Sequence, residues 1–145
     1  MAYAAAITAS TRVLADGRRV LTVLVVETDA EATSEYVLRA SSSGTSTVSG
    51  TLDLPRSGYI THVQCKLVSG AGATVQPRWG QASGWTDDTA DAIDGLDTAA
   101  AYHAEGVALP YTLHPTSAPA IYGRSTVSAG SNNVVHTRIT IVEAG

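Results

Sequence analysis

The sequence predicts an all-β fold, an antiparallel β-sandwich or jelly roll of about eight strands with one short helix at most. Three observations carry this expectation. Apolar and polar residues alternate with period two in several segments, the signature of half-buried strands. Clusters of Gly, Ser, Thr, Asn and Asp separate those segments at the spacing of sandwich strands. No amphipathic stretch of helical length alternates with them, which disfavours a parallel α/β architecture.

Taken in order, the first pair of strands runs from Ala5 to Leu14 and returns through Arg18 to Glu27, with Asp16 and Gly17 suited to the positive φ of a tight hairpin. Glu35 to Ala40, Val48 to Leu54 and Ala73 to Trp79 are shorter candidates. In Tyr59 to Val68 the residues Tyr59, Thr61, Val63, Cys65 and Leu67 share one face, while Ile60, His62, Gln64, Lys66 and Val68 share the other. Val107, Leu109, Tyr111 and Leu113 also share a face, and Pro110, which cannot donate to a ladder, places their strand at an edge. Ala120 to Val127 and Val134 to Glu143 read as two strands joined by a short polar turn through Gly130, Ser131, Asn132 and Asn133. The helical candidate is Asp97 to Ala104, where Asp97 would cap an Ala-rich turn or two before Gly106 stops it.

Two stretches read as surface loops. Ser41 to Ser49 is small, polar and suited to a mobile hairpin tip, and Gln81 to Asp97 is long enough to be functional or disordered. With 145 residues, no repeat and no linker, residues 1–145 are expected to form a single β-sandwich domain that buries roughly two thirds of the surface of its unfolded chain. Met1 to Ala9, small, apolar and uncharged, is a candidate short N-terminal arm (1–9) or else a first edge strand.

Composition excludes several classes. The 44% of apolar residues comes from Ala, Val, Leu and Ile, with no Phe, one Met and two Trp, so the core is expected to be built of small and β-branched groups. The net charge is -4 and the Arg residues are scattered, with no cluster beyond the adjacent Arg18 and Arg19, which argues against nucleic acid as a partner. The longest apolar run, Val20 to Val26, is far short of the about 20 residues that cross a bilayer, and no secretory signal is read at Met1, so no membrane is expected and synthesis is expected in the cytoplasm. A single Cys65 excludes an internal disulfide and reads as a small buried hydrophobe.

Candidate sites are few. Asp87, Asp88, Asp91, Asp94 and Asp97 would suit a hard cation, but counting from Asp87 the sixth position is Ala92 and the twelfth Thr98, where an EF-hand needs Gly and Glu. A solvated acidic loop is the simpler reading. His62, His103, His114 and His136 are widely spread and lack metal-ligand spacing, and His62 and His136 fall on polar strand faces. In Gly80 to Gly84 a serine stands one position late, at Ser83, for a hydrolase elbow. With no phosphate-binding or dinucleotide glycine motif either, the sequence predicts no enzyme, no catalytic residue, no metal and no cofactor. Trp79 ends a strand and reads as core, whereas Trp85, in the acidic loop, is read either as an interface anchor or as a cap on its own domain. The interaction candidates are therefore Trp85, Asp87, Asp88 and Asp91, with Tyr3 on the arm.

The Ala/Thr/Ser/Val-rich strands, the near absence of Lys and Phe, and the closing segment Asn132 to Gly145, NNVVHTRITIVEAG, together resemble the small β-sandwich virion proteins of tailed bacteriophages, the capsid decoration or cement proteins and their relatives. The resemblance is of style over most of the chain, and no functional residue is carried over from it. It implies a structural virion protein, favouring a homotrimer, that binds the major capsid protein or other virion proteins at the capsid surface and stabilises the head. A tail, baseplate or head-fibre component is the nearest alternative. A carbohydrate-binding module, with Trp85 and tyrosines aligned on an open face, is a second, and a metal-binding cupin is disfavoured because its clustered His, His, Glu spacing is absent.

Overall fold

The computed structural model describes residues 2–31, 33–71, 74–86, 92–93, 102–114, 118–128 and 132–145, and of 102–105 the backbone alone. Ten strands occur among them: β1 (Ala4–Val13), β2 (Arg19–Thr28), β3 (Tyr36–Leu38), β4 (Ser46–Ser49), β5 (Ser57–Ser69), β6 (Val75–Gly80), β7 (Ala92–Ile93), β8 (Tyr102–Thr112), β9 (Ile121–Val127) and β10 (Val134–Glu143). They form a β-sandwich of one six-stranded sheet, ordered β4-β1-β2-β10-β5-β8, and one four-stranded sheet, ordered β3-β9-β6-β7. No helix among the described residues is long and apolar enough to cross a membrane.

Alternation builds the larger sheet as its residues predict. Ala5, Ile7, Leu21, Val23, Val25, Ile139 and Ile141 are buried on the inner face, and the neighbours between them turn outward. The β1–β2 hairpin closes at a turn in which the Leu14 N–H donates to the Arg18 carbonyl and the Gly17 N–H to the Leu14 carbonyl. Gly17 alone of the two expected turn residues takes a positive φ, 90°. Pro110 lies on β8, an edge strand, as its missing N–H requires.

The structure corrects several expectations. Tyr102 to Ala104, the end of the expected helix, belong to β8, where they pair with Lys66, Cys65 and Gln64; residues 97–101 lie outside the described set. A helix of one or two turns carries a costly nucleus, so ladder pairing prevails over alanine's propensity. In β5 a bulge at Thr61 reverses the facing: Ile60 is fully buried and Tyr59 exposed, while Val63 and Cys65 beyond the bulge remain buried. The expected turn between β9 and β10 joins two different sheets, so these strands do not pair with each other. The entry to β10 is fastened to the end of β2, with the Asn133 side-chain amide donating to the Ala30 carbonyl at 2.9 Å and the Ala30 N–H donating to the Asn133 carbonyl at 3.0 Å.

Ser41 to Ser49 is likewise no free hairpin tip. It contains β4, which lies parallel to β1, the one parallel pair among the described strands. Serine hydroxyls hold this segment by replacing ladder bonds: Ser46 accepts from the Val37 N–H at 3.0 Å, and Ser42 accepts from the Val48 N–H at 2.8 Å. Because β4 covers Ala5–Thr8, residues 4–9 form neither a free arm nor, over that span, an edge strand.

Between the sheets the apolar core is divided by a polar layer. Tyr36, Leu38, Trp79 and Ile121 meet Leu21, Val23, Ile60 and Ile139 in the main cluster, and Ala30, Cys65, Val75, Val127 and Val135 form a smaller one. Glu27, Ser125 and Thr137, all fully buried, lie with them. Ser125 and Thr137 approach across the sandwich at 3.3 Å between hydroxyls, Cys65 Sγ lies 3.3 Å from Thr137 Oγ1, and the Tyr3 hydroxyl donates to Glu27 Oε2 at 2.8 Å. Burial pushes the Cys65 thiol up to about 11, which leaves it protonated and inert as expected of a small core residue.

Burial also pushes the Glu27 carboxyl up to about 7, partly offset by the hydroxyls of Ser125 and Tyr3. Its Oε1 has no hydrogen-bond partner, a state far cheaper for a neutral acid than for a carboxylate. Since the unfolded value lies near 4.5, the folded state binds the proton more tightly. This stabilisation is complete below about pH 4.5 and is lost as pH rises through about 7, a span worth roughly 3 kcal/mol. Glu27→Gln is expected to flatten that part of the stability profile and to raise the thermal midpoint at pH 8, as followed by circular dichroism melts across pH 4 to 8.

Candidate functional site

Three surfaces carry the groups from which a function can be built. The first is the outer side of the four-stranded sheet, where residues 81–86 fold back onto β6 and β9. The Trp85 indole lies directly on Gly80, where a Cβ would stand 2.0 Å from the ring, so only glycine permits this approach. Its Nε1–H donates to the Tyr122 carbonyl at 3.0 Å, and the Arg124 guanidinium sits 4.3 Å from the ring centroid in cation–π geometry. Glu35 closes the arrangement: it accepts from Arg124 Nη2 at 3.0 Å, from the Ser83 hydroxyl at 2.8 Å and from the Gly84 N–H at 3.2 Å.

Trp85 is only 3% exposed, and so it caps its own domain. It offers no open anchor for an interface or a sugar ring, and the same packing commits Ser83 to Glu35. Trp79 is core, as its position at a strand end predicts. Asp87, Asp88 and Asp91, with Asp94 and Asp97, lie outside the described residues. Tyr3 is part-buried and bonded to Glu27, which turns it toward the interior of its own domain.

The second surface is the outer face of the six-stranded sheet. The outward positions of its four central strands are Ala4, Ala6, Thr8, Ser10 and Arg12 on β1, Val20, Thr22, Leu24, Val26 and Thr28 on β2, Val134, His136, Arg138, Thr140 and Val142 on β10, and Tyr59, His62, Gln64, Lys66 and Val68 on β5. Not one is Asp or Glu, in a chain whose net charge is -4. Register makes Lys66 and Arg138 diagonal neighbours with histidines beside them: His136 stands opposite Lys66, Arg138 opposite Gln64, and Thr140 opposite His62. Lys66 and Arg138 have no carboxylate partner among the described residues, and with Leu24, Gln64 and His136 they border a shallow depression of about 210 Å³. Tyr59 and Val68 on this face are 44% and 47% exposed.

Sequence reading placed His62 and His136 on polar faces correctly but missed the cluster. Arg138 and Lys66 stand far apart in the chain, and only the β5–β10 register juxtaposes them.

The third surface is a cleft of about 590 Å³ at the end of the sandwich where chain leaves β3, β4, β6 and β8 and enters β9. Leu52, Leu54 and Leu113 line it with Arg39, Asp53 and Tyr122. Beside it, Arg19 binds Glu143 at 2.6 Å and Asp53 at 2.5 Å, which ties the start of β2 to the end of β10 and holds the Glu143 carboxyl below its usual range. Among the described residues no group of His, Cys, Asp and Glu side chains is arranged to hold a metal ion.

Compared with known proteins, the chain matches no family model, no curated protein and no solved structure.

Removing the indole would empty the space between Gly80 and Arg124 and release the loop that Glu35 anchors. Trp85→Ala is expected to cost about 3–5 kcal/mol of folding stability, measured by urea denaturation. A loss under about 1 kcal/mol would contradict the capping role.

Proposed function

We propose that this protein is a structural virion component, a decoration or cement protein that docks on the head of a tailed bacteriophage through the outer face of its six-stranded sheet. The observation that carries the reading is the charge of that face: its four central strands present Arg12, Lys66 and Arg138, with His62 and His136 beside them and no outward Asp or Glu, on an otherwise acidic chain. Such a face complements an acidic partner surface. Charge of this kind steers and orients docking, while the exposed Tyr59 and Val68 offer apolar area to bury. The partner in this reading is the major capsid protein or another virion subunit, and the chain acts by binding, without catalysis or cofactor.

A tail, baseplate or head-fibre role would use the same face. The carbohydrate-binding alternative has less support, because it requires Trp85 on an open surface and Trp85 is enclosed by Gly80, Arg124 and Tyr122.

Two measurements test the proposal. Light scattering on the purified protein is expected to give the mass of a trimer, and a monomer that stays monomeric on heads would remove the trimer from the reading. Sedimentation with empty heads of the parent virus is expected to carry the protein down in stoichiometric amount, weakening as salt rises. The double variant Lys66→Glu/Arg138→Glu should abolish co-sedimentation with little change in thermal midpoint, since both side chains are exposed. Heads that fail to retain the unaltered protein, or retain the variant equally well, would overturn the docking face.

A further inference from the structure

We infer that the cleft at the end of the sandwich is a binding site for a small monocarboxylate with a compact apolar body, held by Arg39. Arg39 follows directly on β3, and among the described residues its two terminal nitrogens donate to neutral acceptors only, Nη1 to the Ser43 hydroxyl at 3.3 Å and Nη2 to the Tyr122 hydroxyl at 3.0 Å. Its Nε is buried without any partner, and no carboxylate among the described residues pairs with it. A guanidinium carries five donor hydrogens, so hydrogens on both terminal nitrogens remain to be given. Arg39 contrasts in this with Arg19 and Arg124, each satisfied by a carboxylate of the chain itself.

The surroundings select the ligand. A cleft of about 590 Å³ lies within the range of small-molecule sites, and Leu54, Leu113 and Ala120, largely buried, turn apolar edges to it over the fully buried Leu52. Among the described lining residues the only carboxylate is Asp53, which Arg19 holds at 2.5 Å. Asp53 and Glu143 share Arg19, so the local charge is set by geometry: the Arg39 fork, without a carboxylate of its own among the described residues, has room for one. A phosphate dianion would leave its second charge uncompensated against apolar walls and beside Asp53, whereas a carboxylate matches the planar fork and leaves its apolar body on the leucines. The Tyr122 and Ser43 hydroxyls pre-position the fork, which lowers the ordering cost of binding.

The test is an amide-shift titration of the isotopically labelled full chain with benzoate, benzamide and inorganic phosphate. Benzoate is expected to move the amides of Ala40, Leu54, Ala120 and Tyr122 saturably, with benzamide and phosphate at least about tenfold weaker. Arg39→Gln should weaken benzoate by about tenfold or more, and Arg39→Lys, which keeps the charge and loses the fork, by less. If Arg39→Gln fails to fold, the contrast between benzoate and benzamide on the unaltered protein, together with Arg39→Lys, still decides. The inference is overturned if benzoate leaves those four amides unmoved at millimolar concentration, if benzamide binds as well as benzoate, or if either variant binds benzoate as the unaltered chain does. Tight phosphate binding with no benzoate response would reassign the site to another anion and equally overturn the carboxylate.

Discussion

The structure depends on one contact at the centre of its core, the hydrogen bond of 3.0 Å from Trp79 Nε1 on β6 to the Tyr36 hydroxyl on β3, made across β9 within the four-stranded sheet. A chain without phenylalanine must fill the centre of a sandwich with whatever large rings it has, and Trp79 and Tyr36 are its largest fully buried side chains. Each brings a polar group that would be costly to bury alone, and each satisfies the other's. The pair also dictates its neighbours. Tyr36 lies against Gly123, where a Cβ would come within 2.1 Å of the ring, so β9 must carry glycine at that place for the rings to meet.

From that centre the four-stranded sheet becomes a self-contained surface. Gly80 follows Trp79 and accepts the Trp85 indole on its outer side, Arg124 follows Gly123 and covers that indole, and Glu35 precedes Tyr36 and binds Arg124. Residues adjacent in sequence to the inner rings thus assemble the outer cap, because alternation sends each neighbour to the opposite face. The outcome is a sheet on whose outer side the Glu35 carboxylate and the Arg124 guanidinium neutralise each other. The six-stranded sheet is built differently: Lys66 and Arg138 face outward and are exposed, with no carboxylate partner among the described residues. The asymmetry is between a face closed by its own loop and one whose four central strands leave outward Lys and Arg without Asp or Glu beside them.

The polar layer of Glu27, Ser125, Thr137 and Cys65 introduces a second constraint. It lies with the inner-face residues and admits only a neutral carboxyl at low cost, so the core itself senses pH. Nothing in the linear pattern around Glu27 marks it as different from a surface glutamate ending a strand. Its burial follows from the length of β2, which carries the inner-facing parity of Leu21, Val23 and Val25 two residues further.

The sequence by itself determined the all-β class, the β1–β2 hairpin, the edge position of Pro110, the core placement of Trp79 and Cys65 and the exposure of His62 and His136. All of these rest on local signals: period-two alternation, turn residues and the missing proline donor. What only the tertiary structure decided was the pairing of elements distant in the chain. The bulge at Thr61 set the facing of Tyr59 and Ile60, the separation of β9 and β10 into two sheets undid a hairpin that the turn residues suggested, and the β5–β10 register assembled the cationic face. Trp85 could be read from its neighbours as anchor or cap, and the choice fell to Gly80 and Arg124, because burial depends on which surface the loop meets. Local sequence specifies the conformation of each strand; which strand lies beside it is settled by side-chain packing over the whole domain.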